Sequence, residues 1–312
     1  MKKVTEQAIA FAPATIGNVG VGFDVLGLAV DSIGDQVTVK KTETGDIRIK
    51  KITGIDNLPL DPLKNTATVG LIQLCKDLNL PFGFEVEIKK GIPLGSGMGG
   101  SASSAVAAIV AANSLLSKSL TKSDMMKYAL MGEAIATGSI HGDNVAPCLF
   151  GGLTLVQSLD PLHVISIPIP KDLFFVLVHP GFRLDTKAAR EILKPHIDLK
   201  DYVKQTANLA GFIAGCFIKD FEVLKNSLSD ILIEPQRAHL IEGFQKIKGS
   251  ALDNGALGCS ISGAGPTVFA VTKGKSTANK VKNAMVVAFK NAKAPKITSW
   301  ITQSSSKGAH II

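Results

Sequence analysis

The sequence predicts an α+β protein of two domains, and three observations carry that prediction. Its 312 residues exceed what one hydrophobic core usually serves. Strand patterns dominate early, while the C-terminal portion reads as helices, a hairpin, a helix and a strand, which suggests an α+β sandwich. Pro161, Pro168 and Pro170 cluster between the two parts. The boundary is therefore placed at 165/166, giving domains 1–165 and 166–312.

The elements follow in order. Gln7–Ala12 reads as a strand, followed by a Gly-rich bend to Gly22. Gln36–Lys40 and Ile47–Ile52 are short strand candidates. Thr66–Leu78 has helical spacing. Phe84–Ile88 (FEVEI) alternates strictly, as a half-buried strand does. A Gly-rich loop leads into an Ala-rich helix from about Ser101 to Leu116. Thr121 opens another helix, with Asp124 completing a T-x-x-D cap. Gly151–Gln157 and Phe174–Val178 are strands. Helical segments run from about Tyr202 to Asp230, and one helix is expected from Pro235 to Ile247. Leu257–Ser262 and Thr267–Thr272 pair across SGAGP. A helix over Ser276–Asn291 and a strand over Lys296–Thr302 follow.

Composition narrows the function. Hydrophobic residues make up 46% and no long polar tract interrupts them, so the chain is globular. The apolar run Ala105–Ala112 is far too short to span a bilayer. Glu6 and Pro13 interrupt the N-terminus before a secretory apolar core could form. Four dispersed cysteines without a C-x-x-C pair read as buried, reduced thiols. The expectation is a soluble, cytoplasmic protein. Its net charge is +8, yet the lysines are scattered and only two tyrosines and one tryptophan offer stacking surfaces. That excludes a dense nucleic-acid footprint and fits a basic surface that attracts anionic substrates. Arginine occurs only at 48, 183, 190 and 237. A lysine-rich chain that places an arginine invites a forked carboxylate or phosphate contact.

The stretch PLGSGMGGSASSAVAA, residues 93–108, carries the strongest chemical signal. It contains a literal G-x-G-x-x-G at Gly95, Gly97 and Gly100, but no strand with a terminal acid follows about 20 residues later, as a dinucleotide fold requires. It has no Walker lysine. A helix N-terminus offers unpaired N–H groups and a positive dipole end, and glycines let the backbone approach an anion. Ser96 and Ser101 add hydroxyls. Spacing alone leaves a phosphate loop and a plain strand-to-helix turn equally open.

The stretch as a whole resembles the glycine-rich P-x-x-x-G-L-G-S-S-A-A motif of the GHMP kinases (galacto-, homoserine, mevalonate and phosphomevalonate kinases). AFAPATIGNVGVGFDVLGLAV at 10–30 and GCSISGAGPTVFAV at 258–271 resemble two further motifs of that family, in the same order. HGDNVAP at 141–147 and EPQRAHLI at 234–241 extend the likeness over nearly the whole chain, and the P-A-T-x-x-N-x-G-x-G-F-D form at 13–24 and H-x-D-N-V-A-P at 141–147 are similar to the homoserine branch. Two departures stand out: Met98 replaces the leucine and Gly100 the first serine.

The resemblance implies a ribosomal protein S-five domain-two-like N-terminal domain, a ferredoxin-like α/β sandwich at the C-terminus, and an active site in the cleft between them. It implies ATP- and Mg²⁺-dependent phosphorylation of the L-homoserine hydroxyl, for threonine synthesis, by a homodimer with no nucleic-acid or membrane partner. ATP would bind along Pro93, Leu94, Gly95, Ser96, Gly97, Met98, Gly99, Gly100, Ser101, Ala102 and Ser103. Ser101 and Glu133 would hold Mg²⁺. Met126, Leu130, Glu133 and Thr137 share a helix face, and a carboxylate there costs several kcal/mol unless paired or metal-bound. Asn18, Asp24, His141 and Asn144 would bind substrate, and Arg190 and Arg237 its carboxylate. Thr186 would lie near the transferred phosphoryl group. Asn144 stands where mevalonate and galactose kinases carry a catalytic aspartate, so the resemblance implies direct attack by the hydroxyl; Asp24 or Asp143 as a base is the alternative.

Overall fold

The computed structural model describes residues 6–138 and 140–312, without the side chains of Ser32 and Thr137. The first few residues of the expected non-secretory N-terminus, and the Thr137 side chain expected on the Glu133 face, lie outside that description. The first half runs β1 (Gln7–Gly17), β2 (Leu26–Thr42), β3 (Ile47–Thr53), α1 (Thr66–Asp77), β4 (Gly83–Lys89), α2 (Gly100–Asn113), α3 (Lys122–Thr137), α4 (Val145–Phe150), β5 (Leu153–Leu159) and β6 (Leu162–Ile167). The second half runs β7 (Leu173–His179), α5 (Ala188–Glu191), α6 (Leu199–Ile218), α7 (Phe221–Ser227), α8 (Glu234–Arg237), α9 (Phe244–Asp253), β8 (Gly258–Ile261), β9 (Val268–Lys273), α10 (Lys275–Asn291), β10 (Thr298–Thr302) and β11 (His310–Ile311).

β2 organises the first sheet. Its C-terminal half pairs with β4 and its N-terminal half with β5, while β1 runs antiparallel along nearly all of it. A register shift between Pro13 and Thr15 lets β1 follow the bend. The sheet order is β11-β1-β2-β4-β3, with β5 and β6 joined through β2. Val37, Val39, Phe84 and Val86 face Leu71, Leu74, Val106 and Ile109 from the covering helices. Alanines fill much of α2, so this helix, buried on most sides, can sit close to both sheet and helices.

The second sheet is antiparallel in the order β10-β7-β9-β8, the arrangement of a β-α-β-β-α-β ferredoxin-like unit. β7 shows why this sheet is buried on both faces. Val176 and Val178 point to Phe244, Ile247, Val281 and Met285 on α9 and α10. Phe175 and Leu177 point the other way, to Phe212 and Leu224 and to Ile16, Leu26 and Leu28 of the first sheet. The two halves thus share one of their cores.

Several boundaries differ from the expectations. The 165/166 division falls inside β6, which belongs to the first sheet. The chain also returns there at its end, where β11 pairs with β1. Gln36–Lys40 is only part of a 17-residue strand. The helix expected from Pro235 is broken: α8 ends at Arg237, a 3-10 turn spans Ala238–Leu240, and α9 starts after Gly243 at φ 74°. The T-x-x-D cap is present, with Thr121 Oγ1 accepting from the Asp124 amide at 3.2 Å.

Candidate active site

A cavity of about 300 Å³ opens between the two halves, with the Gly-rich loop forming one end. Gly95, Gly97 and Gly99 have φ of 57°, 75° and 66°, the left-handed region that favours glycine. Four consecutive carbonyls of this loop are tied to the surrounding protein. Gly95 O accepts from Leu184 N (3.0 Å), Ser96 O from Thr267 N (3.1 Å), Gly97 O from Ser262 Oγ (2.8 Å) and Met98 O from Thr15 N (3.1 Å). With the carbonyls committed, the amides that open α2 stay available. Those of Gly100, Ser101 and Ala102 have no acceptor among the described residues, and Gly99 supplies no side-chain cap. Buried Ser96 Oγ also lacks a partner. Unclaimed donors at the positive end of a 14-residue helix fit a chain of phosphates.

Glu133 reaches the same cavity from α3 and is 4% exposed. Burial raises its pKa above the usual carboxylate range, while hydrogen bonding to Ser101 and the charge of Lys90 oppose that shift. Among the described residues no three His, Cys, Asp or Glu side chains gather as metal ligands. Ser101 and Glu133 nevertheless suit Mg²⁺, which takes few protein oxygens and completes its shell with phosphate and water.

The other end of the cavity gathers both signs of charge. The bend between β1 and β2 holds Asn18, Val19 and Asp24 at φ of 68°, 47° and 61°. Asn18 locks that bend: its Oδ1 accepts from Asp24 N (3.1 Å) and its Nδ2 donates to Gly263 O (3.1 Å). Arg190 Nη2 donates to Asp24 Oδ1 at 2.7 Å, and His141 Nδ1 lies 3.7 Å from Asp24 Oδ2. Burial lowers the His141 pKa; Asp24 opposes this and Arg190 adds to it. Arg190 and Arg237 both lie over the Phe23 ring, at 5.1 and 5.3 Å from its centroid. Arg237 is fixed by bonds to Ala189 O (2.9 Å) and Gly263 O (3.2 Å), which leaves further guanidinium N–H groups.

Asn144 lies between these ends. Its Oδ1 accepts from Thr15 Oγ1 (2.7 Å) and its Nδ2 donates to Asp143 Oδ2 (3.2 Å). Asp143 is 4% exposed, and burial, Asp24 and Glu133 push its pKa up to about 7 against the opposing charge of Arg190. The absent side chain at Gly17 makes room: a Cβ there would lie 2.7 Å from Asp143 Oδ2 and 2.9 Å from Asn144 Nδ2.

Most residues expected at a site from sequence line this one cavity, including Thr186. Met98, Ala102 and Ser103 do not. Met98 and Ala102 are buried in the two cores, and Ser103 Oγ is turned to Ala12 O at 2.8 Å. A helix entering a core must send some of its first-turn side chains inward. Sequence reasoning missed Lys90, Asp35, Thr15 and Phe23. Lys90 followed another lysine and looked solvated, whereas its ammonium is buried against Asp35. Thr15 and Phe23 stand inside the 10–30 motif, which by itself gives them no role.

The comparisons with known proteins identify the family. Residues 65–152 match the family described as GHMP kinases N terminal domain, and residues 212–291 match GHMP kinases C terminal. A homoserine kinase of Xylella fastidiosa is 48% identical over 98% of this chain and 94% of its own length. One of Chloroherpeton thalassium is 43% identical over 98% of this chain and 100% of its own. The crystal structure of a homoserine kinase from Cytophaga hutchinsonii superposes with a TM-score of 0.96 at 41% identity, covering 100% of this chain and 99% of that one. An L. major mevalonate kinase shares the fold alone, with a TM-score of 0.72 at 17% identity over 97% of each chain. The chain belongs to the GHMP kinase family, in the branch that holds the homoserine kinases.

Proposed function

We propose that this protein transfers the γ-phosphoryl group of ATP to the side-chain hydroxyl of L-homoserine, giving O-phospho-L-homoserine and ADP for threonine synthesis. One observation carries the reading: unclaimed amides at the start of α2 and the Asp24, Arg190 and Arg237 cluster line a single cavity. Relatives named homoserine kinase at 43–48% identity over nearly the full chain support the choice of substrate.

In this reading Asp24 and Asn18 receive the substrate ammonium, Arg190 and Arg237 its carboxylate, and His141 flanks it. Thr186 and the amides of the loop face the transferred group. Ser101 and Glu133 would hold Mg²⁺, which supplies positive charge at the phosphates. Phosphoryl transfer passes through a loose transition state, so the protein's work is positioning and charge neutralisation. Asn144 has its Oδ1 occupied by Thr15 and one Nδ2–H by Asp143, which leaves one N–H for the substrate. An amide cannot accept a proton, and in this reading Asp24 goes to the substrate ammonium and Asp143 to Asn144, so the attacking hydroxyl loses its proton late, to an oxygen of the phosphoryl group. The homodimer belongs to the same reading and is checked by light scattering. The deciding experiment is a coupled ADP-release assay with L-homoserine, run beside mevalonate. No turnover with homoserine, or faster turnover with mevalonate, overturns the proposal.

A further inference from the structure

The phosphate loop carries no lysine of its own, yet a lysine lies beneath it. Lys90, the residue just after β4, is buried: its side chain is 3% exposed, and that of Asp35, from β2, is 0%. Its ammonium bonds the Asp35 carboxylate, the Gly100 carbonyl (2.7 Å) and Ser104 Oγ (2.8 Å). An ammonium has three N–H donors, and all are committed. Asp35 is fully engaged as well. Its Oδ1 accepts from Gly91 N (2.9 Å) and Ile92 N (3.2 Å), and its Oδ2 from Ser104 Oγ (2.8 Å). This network therefore ties β2, the end of β4 and the first turns of α2 into one unit.

The pair is also oriented. Lys90 and Ser104 line the cavity and Asp35 does not. Its positive end bonds the Gly100 carbonyl of the loop, and its negative end is held outside the cavity lining by Gly91, Ile92 and Ser104. Inside a protein the field of such an oriented pair is weaker than that of a lone charge, but solvent screens it little.

We propose that Lys90 is the positioning cation of the phosphate loop. It fixes the Gly100 carbonyl away from the ligand and presents a positive field to the triphosphate without touching it. The role rests on reading the cavity as an ATP site.

The test compares ATP with adenosine, which shares the base and ribose but has no charge for the field to act on. Affinities for both are measured by calorimetry in wild type, in Lys90→Met, and in Lys90→Met with Asp35→Leu. The double variant removes the pair without stranding a buried carboxylate. The expected result is a loss of about tenfold or more in ATP affinity with adenosine affinity held within about twofold. Equal losses for both ligands, or no change in their ratio, overturn the proposal. A wild-type protein that binds no ATP would instead overturn the kinase reading itself. Should both variants fail to fold, lysine acetylation of the wild type followed by mass spectrometry still decides. Lys90 is expected to stay unmodified with or without ATP. Modification in the free protein that ATP suppresses would mark a free, ligand-contacting lysine and overturn the proposal.

Discussion

Arg190 reaches from the second half of the chain to Asp24 in the first, Nη2 to Oδ1 at 2.7 Å, across the mouth of the cavity. Both side chains are partly exposed, so a substrate carrying both charges can engage them from the cavity side. In the proposed reading an amino acid presents an ammonium to Asp24 and a carboxylate to Arg190, which keeps every charge paired. Removing Asp24 takes away the acceptor for the ammonium. A hydrogen bond to a charged group contributes about 1.5–3 kcal/mol. Asp24→Ala is therefore expected to raise the KM for homoserine about tenfold or more and leave ATP affinity within about twofold. Steady-state kinetics with each substrate varied in turn check this.

Asp143 predicts a dependence of stability on pH. Burial pushes its carboxyl up to about 7 in the folded state, against 3.8 for an exposed aspartate. The folded state therefore holds a proton that the unfolded state releases between those values. The resulting stabilisation is full below pH 3.8 and is lost as pH rises through about 7. Burial of His141 and His179 lowers their pKa values and works in the opposite sense, so the informative quantity is a difference. Wild type minus Asp143→Asn in Tm should fall steadily from pH 4 to pH 8. Calorimetric scans at constant ionic strength measure it, and a flat difference would contradict the assignment.

The Glu133 carboxylate is expected to matter only where Mg²⁺ is needed. Glu133→Gln keeps the side-chain volume and removes the negative charge. Losing one charge-stabilising group from such a site typically costs about 100-fold in kcat. Turnover should fall by about that factor and respond weakly to added Mg²⁺, while ATP binding measured in EDTA stays within about threefold of wild type. Chelation alone should abolish turnover in the unmodified enzyme.

The neighbours Gly99 and Gly100 should respond in opposite ways to a side chain. Gly99 is left-handed, and a Cβ there would collide with Thr15 Oγ1 and come within 3.0 Å of Asn144 Oδ1. Gly99→Ala should therefore disturb the residues that orient Asn144 and lower kcat more than it lowers Tm. Gly100 has no such backbone constraint, and its Cβ would meet Ile92 Cγ2 at 3.2 Å and Lys90 Nζ at 3.6 Å. Gly100→Ser, which restores the usual motif residue, is expected to keep activity and shift ATP affinity by about threefold at most. A large gain in turnover would show that the departure had weakened the enzyme.

How much of this was legible in the sequence follows from where each residue's partners lie. The alternation of FEVEI and the Thr121 cap were readable because their partners are local or periodic. The broken helix after Pro235 was not, because the chain turns extended at Ile241 and restarts as a helix only after Gly243 at positive φ. β6 hid in a Pro-rich stretch that read as a linker, and its six residues are held by pairing with β5. Asp24, Arg190, Arg237 and Asn144 came from motif resemblance, and no local pattern places them together. The Asp35–Lys90 pair was invisible for the same reason: its residues are 55 positions apart, and only the sheet brings them into contact. Arg48 shows the converse, an arginine that pairs with Glu85 at 2.8 Å on the surface and has no place in the cavity.

Four carbonyls of a glycine-rich loop are pinned by both halves of the chain. Glycine gives up more conformational freedom on ordering than any other residue. Here that freedom is surrendered when the chain folds, long before a nucleotide arrives. The loop is therefore a rigid receptor made from the most flexible residue type, and the nucleotide's contacts go into affinity and alignment instead of into ordering the backbone.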